Sequence, residues 1–307
     1  MKTQRLGNTE FKASVLGIGD IADRNIPVKQ CVYTLHRAMD FGMNLIDTAP
    51  GYEEGYSEEI VGAALRGKRE NLFVIDKVDH PLKPVIPQVE ASLRALHIDH
   101  TDLFVFHAVS EMEVWEALAA PGGGMDQLAQ CVTAGKTRFK GISSHHPDVL
   151  RAALRSGLCD VVMFPVGPFV DSRYLDEILP MARKMNTGTV CFKTFGAGKL
   201  LGDTTGYNRP LNERPRGKFS SGGETTTTHP ELPRLSVAEC LHYTLTHGPD
   251  VALLGMSFPN EQDAVISAYG SFISLGADEQ ADIQARAKLA IQEKGSCWWN
   301  PDDASEV

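Results

Sequence analysis

The sequence predicts a (β/α)8 barrel, and three observations carry that reading. Short β-branched runs alternate with longer helical patterns along the 307 residues. Eight such runs occur, each followed by a helix pattern, which is the chain order of a barrel rather than of a sandwich or a bundle. Three consecutive runs finish in an ionisable residue, Asp47, Lys77 and His107. A strand that feeds a core has no packing reason to end in a charge, so those ends point to one shared polar site.

The elements follow in order. Thr3 to Val15 holds a Gly7-Asn8 turn between two strand-like pieces, and residues 1–15 read as a hairpin closing the barrel bottom. Strands are expected at 14–18, 43–47, 71–77, 101–107, 139–143, 160–166, 189–194 and 251–255. Val28 to Phe41 carries a helical stripe of Val32, Leu35, Ala38 and Met39. Ser57-Glu58-Glu59 opens a second helix with early acids. Further helices are expected at 85–96, 113–134, 147–155, 171–185, 236–246 and 260–269, with Pro147 suited to a first helical turn and Asp171 and Ser236 to N-caps. Pro121-Gly122-Gly123-Gly124 interrupts the fourth of these as a surface insertion. Phe195 to Arg234 breaks the rhythm with Gly, Pro, Thr and charges, and 195–234 reads as a long loop over the active face. Residues from about 280 to 307 form a C-terminal helix and tail, and 1–307 is read as a single barrel domain. The competing fold, a doubly wound sheet, would want G-x-G-x-x-G, and Gly17-Ile18-Gly19 lacks its third glycine.

Bulk properties exclude several functions. A net charge of −9 argues against a nucleic-acid partner. No run approaches the length of a membrane span, and the N-terminus has no apolar leader behind it. The six cysteines form no C-x-x-C pair and read as buried, reduced thiols of a cytoplasmic protein. No metal is expected. His145 and His146 are adjacent on one extended segment and point opposite ways, and the first strand lacks His-x-His.

In a barrel the C-terminal strand ends converge, and neighbouring strands lie about 4.8 Å apart. Asp47, Lys77 and His107 can therefore meet Tyr52, which follows Asp47 on the next loop. An ammonium close to a phenol favours the phenolate, so Lys77 is expected to lower the Tyr52 pKa while Asp47 holds Lys77. His107 can hydrogen-bond a substrate oxygen. This set suits protonation of a carbonyl oxygen as a cofactor delivers hydride to its carbon. Asp76, next to Lys77 on the strand, points away from the pocket, whereas Asp20 lies near it.

Asp47-Thr48-Ala49-Pro50-Gly51-Tyr52, Lys77 and His107, in that order and spacing, resemble the catalytic tetrad of the aldo-keto reductase superfamily. Arg5-Leu6-Gly7-Asn8-Thr9, Leu16-Gly17-Ile18-Gly19, the Ser57 to Gly62 helix, Gly135 to Ser144 and Gly255-Met256-Ser257 with Glu261-Gln262 extend the resemblance over most of the chain. It implies a barrel without a Rossmann domain that binds NADP(H) across its top. It implies Tyr52 as acid/base, Lys77 and Asp47 as its tuning pair, and His107 as substrate orienter. For the cofactor it implies Gly19, Asp20, Ser143, Ser144, Met163, Phe192, Gly196, Gly198, Leu200, Gly255, Ser257 and Gln262. Phe192 stands where a tyrosine usually stacks on the nicotinamide, Ser144 where asparagine is frequent, and Met163 near a glutamine position. The Lys and Arg that grip a 2′-phosphate in such proteins correspond to Met256 and Gln262 here, so NAD(H) is expected to compete with NADP(H). Ser257 and the amides opening the Asn260 helix remain as donors, and Lys199, Arg209, Arg214, Arg216 and Lys218 are candidates to cover the pyrophosphate. The implied activity is reversible reduction of an aldehyde or ketone, a sugar or small carbonyl compound among the candidates. The alternative is a redox-reading nicotinamide-binding regulatory module with little turnover. Trp298 and Trp299 read as a staple for the tail or as a substrate wall.

Overall fold

The computed structural model describes residues 1–201, 233–292, 297 and 299–301. It opens with an antiparallel hairpin of β1 (Thr3–Arg5) and β2 (Lys12–Ser14) joined through a 3-10 turn at Gly7–Thr9. Gly7 has φ +49°, and a Cβ there would lie 2.2 Å from the Gly188 nitrogen. Only glycine allows both that backbone and that approach. The hairpin thereby presses Leu6 into the barrel interior, beside Leu45, Phe73, Leu103, Val161 and Val190. It closes the end at which the strands begin.

Eight parallel strands form a closed barrel: β3 (Leu16–Ile18), β4 (Leu45–Asp47), β5 (Phe73–Val78), β6 (Thr101–Phe106), β7 (Thr137–Ser143), β8 (Val161–Pro165), β9 (Gly188–Phe192) and β10 (Val251–Leu254), with β10 paired back onto β3. Their side chains alternate. Leu45, Phe73, Ile75, Leu103, Val105 and Val190 fill the interior. Ile46, Val74 and Leu254 face helices on one side, and Phe104, Phe106, Ile142 and Phe164 on the other. The period of two carries the inward face forward to Asp47, Lys77 and His107 at the strands' C-terminal ends.

The surrounding helices are α1 (Val28–Asp40), α2 (Tyr56–Leu65), α3 (Val85–Leu96), α4 (Met112–Ala119), α5 (Gly124–Thr133), α6 (Pro147–Ser156), α7 (Leu179–Met185), α8 (Val237–His247), α9 (Pro259–Gly270) and α10 (Ala277–Ile291). Ser236 caps α8 as expected, accepting from the Glu239 N–H while its own N–H donates to the Glu239 carboxylate. The helix expected over 113–134 is two helices, broken at the Pro-Gly insertion. The one expected over 171–185 begins with a π-turn at Tyr174–Ile178 before α7. Pro180 has no N–H for the regular helical bond, which accounts for that wider turn. Among the described residues no helix is long and apolar enough to cross a membrane. Most of the 195–234 loop, including Arg209, Arg214, Arg216 and Lys218, lies outside the described residues, as does Trp298.

Candidate active site

β4, β5 and β6 are neighbours in the barrel, with Asp47 opposite Ile75 and Lys77 opposite Val105. This register places the Lys77 ammonium 2.6 Å from Asp47 Oδ1 and 2.7 Å from the Thr48 carbonyl oxygen. Both charged side chains are 2% exposed. Burial alone would depress the ammonium, but the Asp47 carboxylate and then Tyr52 hold its pKa above the ordinary value. Burial likewise pushes the Asp47 carboxyl up, and Lys77 offsets part of that rise. Lys77 Nζ also sits 4.3 Å from the centre of the Tyr52 ring.

Tyr52 starts a tight turn, Tyr52–Gly55, in which Glu53 and Glu54 both have positive φ. Arg24 braces that turn, donating to the Glu53 carbonyl oxygen at 3.0 Å and pairing with Glu54 at 2.7 Å. The phenol is pushed up to about 12, first by burial; Lys77 pulls it down, while Asp47 and Asp79 push it up. Lys77 therefore acts in the expected direction, but burial outweighs it and Tyr52 keeps its proton at neutral pH. The His107 ring meets the Tyr52 ring edge-on, with centroids 5.4 Å apart.

A fifth group joins these four. Asp79, just beyond β5, accepts from His107 Nδ1 at 2.6 Å with one oxygen and from the Gly51 N–H at 2.6 Å with the other. Burial would raise its carboxyl, but the His107 hydrogen bond, the His107 charge and the Gly51 amide together hold it below the usual value. Asp76 faces the other way, fully buried; burial and then the neighbouring Glu58 carboxyl raise it well above the ordinary range.

The end of β9 forms a second polar cluster. Lys193 Nζ lies 5.7 Å from the Phe192 ring centre and 5.8 Å from that of Trp299, and Lys199 Nζ is 5.6 Å from Trp299. The Thr194 hydroxyl is buried and has no hydrogen-bond partner among the described residues. His145 packs 5.3 Å from Phe192, and burial, then Lys193 and His107, drop its pKa to about 3, so the ring is neutral. His146 points the opposite way and caps α6, accepting from the Asp148 N–H. His145 also lines a cavity of about 810 Å³ edged by Ser110, Glu111, Glu113 and Asn300. Among the described residues no cluster of acids, histidines and cysteines could hold a metal ion.

Comparison with known proteins identifies the family of the chain. The model of the Aldo/keto reductase family matches residues 15–287. The chain belongs to that family. The reductase is 25% identical to aldo-keto reductase YhdN of Bacillus subtilis, over 95% of this chain and 96% of that one. It is 29% identical to the NADH-specific methylglyoxal reductase of Escherichia coli, over 67% of this chain and 71% of that one. Among solved structures, an aldo-keto reductase from Bacillus halodurans in its holo form superposes with a TM-score of 0.73 at 25% identity, covering 95% of this chain and 98% of that one.

The remaining candidates of the reductase fall into two groups. Gly19, Asp20, Ser143, Phe192, Gly196, Gly198, Gly255 and Ser257 lie on or just beyond C-terminal strand ends, the face that carries Tyr52. Ser143 Oγ accepts from the Ala108 N–H at 2.8 Å. The others are turned to structural work. The Ser144 hydroxyl is held in its own turn, accepting from the His146 N–H at 3.0 Å. Met163 belongs to the barrel interior, and Leu200 is fully buried under the helices. Gln262 is fully buried, its amide donating to the Thr34 carbonyl oxygen and accepting from Arg37, which fastens α9 to α1. Met256 is also fully buried. Trp299 is a staple: it is fully buried, donates to the Phe169 carbonyl oxygen at 2.9 Å, and accepts at its own carbonyl from the Tyr174 hydroxyl. Asp79, Lys193 and Thr194 escaped the sequence reading. Asp79 lies just past the end of β5, and its partners Gly51 and His107 come from neighbouring strand ends, so no local pattern signals it.

Proposed function

We propose that this reductase reduces a small polar aldehyde or ketone to the alcohol with NADPH or NADH, reversibly, and that Tyr52 is the proton donor. The observation that carries it is Lys77, held by Asp47 at 2.6 Å and set against the Tyr52 ring at 4.3 Å. The carbonyl oxygen sits within reach of the Tyr52 hydroxyl and His107. Tyr52 gives its proton to that oxygen, and the Lys77 ammonium stabilises the phenolate left behind until it is reprotonated.

The residues present fit a nicotinamide dinucleotide. Phe192 offers a ring face, and Lys193 and Lys199, both set against the Trp299 ring, bring positive charge close to it that suits phosphate oxygens. When bound, the reduced nicotinamide supplies the hydride. Because the Met256 and Gln262 side chains are buried, neither faces a 2′-phosphate, which supports weak discrimination between NADPH and NADH. The relative named as an NADH-specific methylglyoxal reductase supports both NADH use and a small dicarbonyl. Six unpaired cysteines, five of them buried, favour a reducing, cytoplasmic setting.

The test is oxidation of NADH and NADPH, side by side, with methylglyoxal and a panel of aldehydes and ketosugars. Multiple turnover with either cofactor is expected. Tight cofactor binding with no turnover on the whole panel would favour the regulatory module instead.

Lys193 makes cofactor binding pH-dependent. Burial, then the like charge of Lys199, brings its ammonium down to about 8. It is charged below that pH and neutral above it, so affinity for a pyrophosphate is complete near neutrality and falls as pH rises through 8. Lys193→Met is expected to weaken NADH and NADPH alike by roughly tenfold or more at neutral pH and to flatten this dependence. Fluorescence titration across pH reads both effects.

A further inference from the structure

The bidentate Asp79 carboxylate dictates which nitrogen of His107 can reach the substrate. A carboxylate only accepts, so the Nδ1 beside it at 2.6 Å carries a proton in both states of the ring. Nε2 has no partner among the described residues, and the ring stands edge-on to Tyr52. Neutral His107 therefore presents a lone pair at Nε2, and only the charged ring presents an N–H there. A carbonyl oxygen needs a donor, whereas an alcohol hydroxyl can use an acceptor.

We propose that Asp79 is a positioning residue that fixes His107 with Nδ1 protonated, so that the carbonyl substrate is held by the charged ring and the alcohol product by the neutral one. This rests on the carbonyl reduction proposed above. Charged and titratable groups face His107 from each neighbouring element: Asp47 from β4, Tyr52 from the turn after it, Lys77 and Asp79 from β5 and its extension, and His145 from beyond β7. Tyr52 and His145 keep one protonation state across ordinary assay pH, the first as a phenol and the second as a neutral ring.

The Gly51 contact makes the proposal testable with an isosteric change. In Asp79→Asn one position must still accept from the Gly51 N–H, so the amide oxygen takes it. That turns the NH2 toward His107 Nδ1, where it can only donate. The neutral ring must then carry its proton on Nε2, the opposite tautomer. The close contact also requires glycine at position 51, since a Cβ there would sit 2.6 Å from the Asp79 oxygen.

Two measurements decide it. Nitrogen-15 spectra of the imidazoles, with His107→Gln to assign the signal, are expected to show neutral His107 protonated at Nδ1 in the wild-type protein and at Nε2 in Asp79→Asn. A wild-type neutral ring protonated at Nε2 overturns the proposal, whether or not the variant folds and whether or not carbonyls are turned over. In the kinetic arm, with cofactor kept saturating at every pH, wild-type kcat/KM for methylglyoxal reduction is expected to fall roughly tenfold per pH unit on the alkaline side, and Asp79→Asn to stay level there. Superimposable profiles, or one uniformly lowered curve, also overturn it, because a purely structural role of Asp79 predicts them. Wild-type inactivity on every carbonyl counts against the reductase function, and the nitrogen spectrum still decides the role of Asp79.

Discussion

Replacing Tyr52 with phenylalanine is expected to lower carbonyl turnover by roughly 10²–10⁴-fold while leaving NADPH and NADH affinity within about twofold. The substitution removes one oxygen and keeps the ring that lies 4.3 Å from Lys77 and 5.4 Å from His107, so the site keeps its shape. With the phenol pushed up to about 12, wild-type Tyr52 holds its proton through any ordinary assay, which suits a donor in the reducing direction. In the oxidising direction the same residue must lose its proton, and the neighbouring Lys77 charge is what makes that loss accessible. Both directions should therefore collapse together in Tyr52→Phe, as microscopic reversibility demands of a group that moves the proton in each. Steady-state kinetics with methylglyoxal and with its alcohol product, together with fluorescence titration of the cofactor, check the result. Turnover retained near wild-type level would remove Tyr52 from the role of acid.

The reason Asp47, Lys77 and His107 were legible while Asp79 and Lys193 were not is geometric. Each of the first three ends an apolar run, and alternation along a strand fixes which way such a residue points once the interior face is known. Asp79 lies past the end of β5, where alternation no longer binds the backbone; its partners, Gly51 and His107, come from the two neighbouring strand ends. Nothing local in Lys77-Val78-Asp79-His80 announces that. Lys193 read as the tail of an apolar strand, although β9 stops at Phe192 and Lys193 turns with φ +72°. For Gln262 the sequence placed the right helix, α9, yet helix packing decided the outcome. Its amide satisfies Thr34 and Arg37 on α1, a pairing set by two elements more than 200 residues apart. The Tyr52 pKa shows the same limit in energetic form. The sign of the Lys77 contribution followed from charge alone, but the larger burial contribution depended on the packing of the folded site.

Lys77→Met is expected to abolish turnover and also to destabilise the fold by about 3–5 kcal/mol, the cost of removing one partner from a buried ion pair. Lys77 Nζ satisfies Asp47 and the Thr48 carbonyl oxygen at once, and methionine satisfies neither. The Asp47 carboxylate would then stand almost without solvent and without its counter-charge. Its folded-state carboxyl is already raised by burial against the pull of Lys77, so loss of that pull raises it further. A group raised in the folded state takes up protons on folding, and its contribution is complete at low pH and lost as pH rises through the folded value. The penalty of Lys77→Met should therefore be smaller in mildly acidic buffer than in alkaline buffer, as read from urea denaturation at both. Adding Asp47→Asn to Lys77→Met should recover part of the stability, because no charge remains to be buried, and none of the activity, because nothing then stabilises the Tyr52 phenolate. A double variant as unstable as the single one would mean that lost packing of the lysine stem, and not the stranded carboxylate, sets the cost. Recovery of stability without activity would separate what Lys77 does for the barrel from what it does for Tyr52.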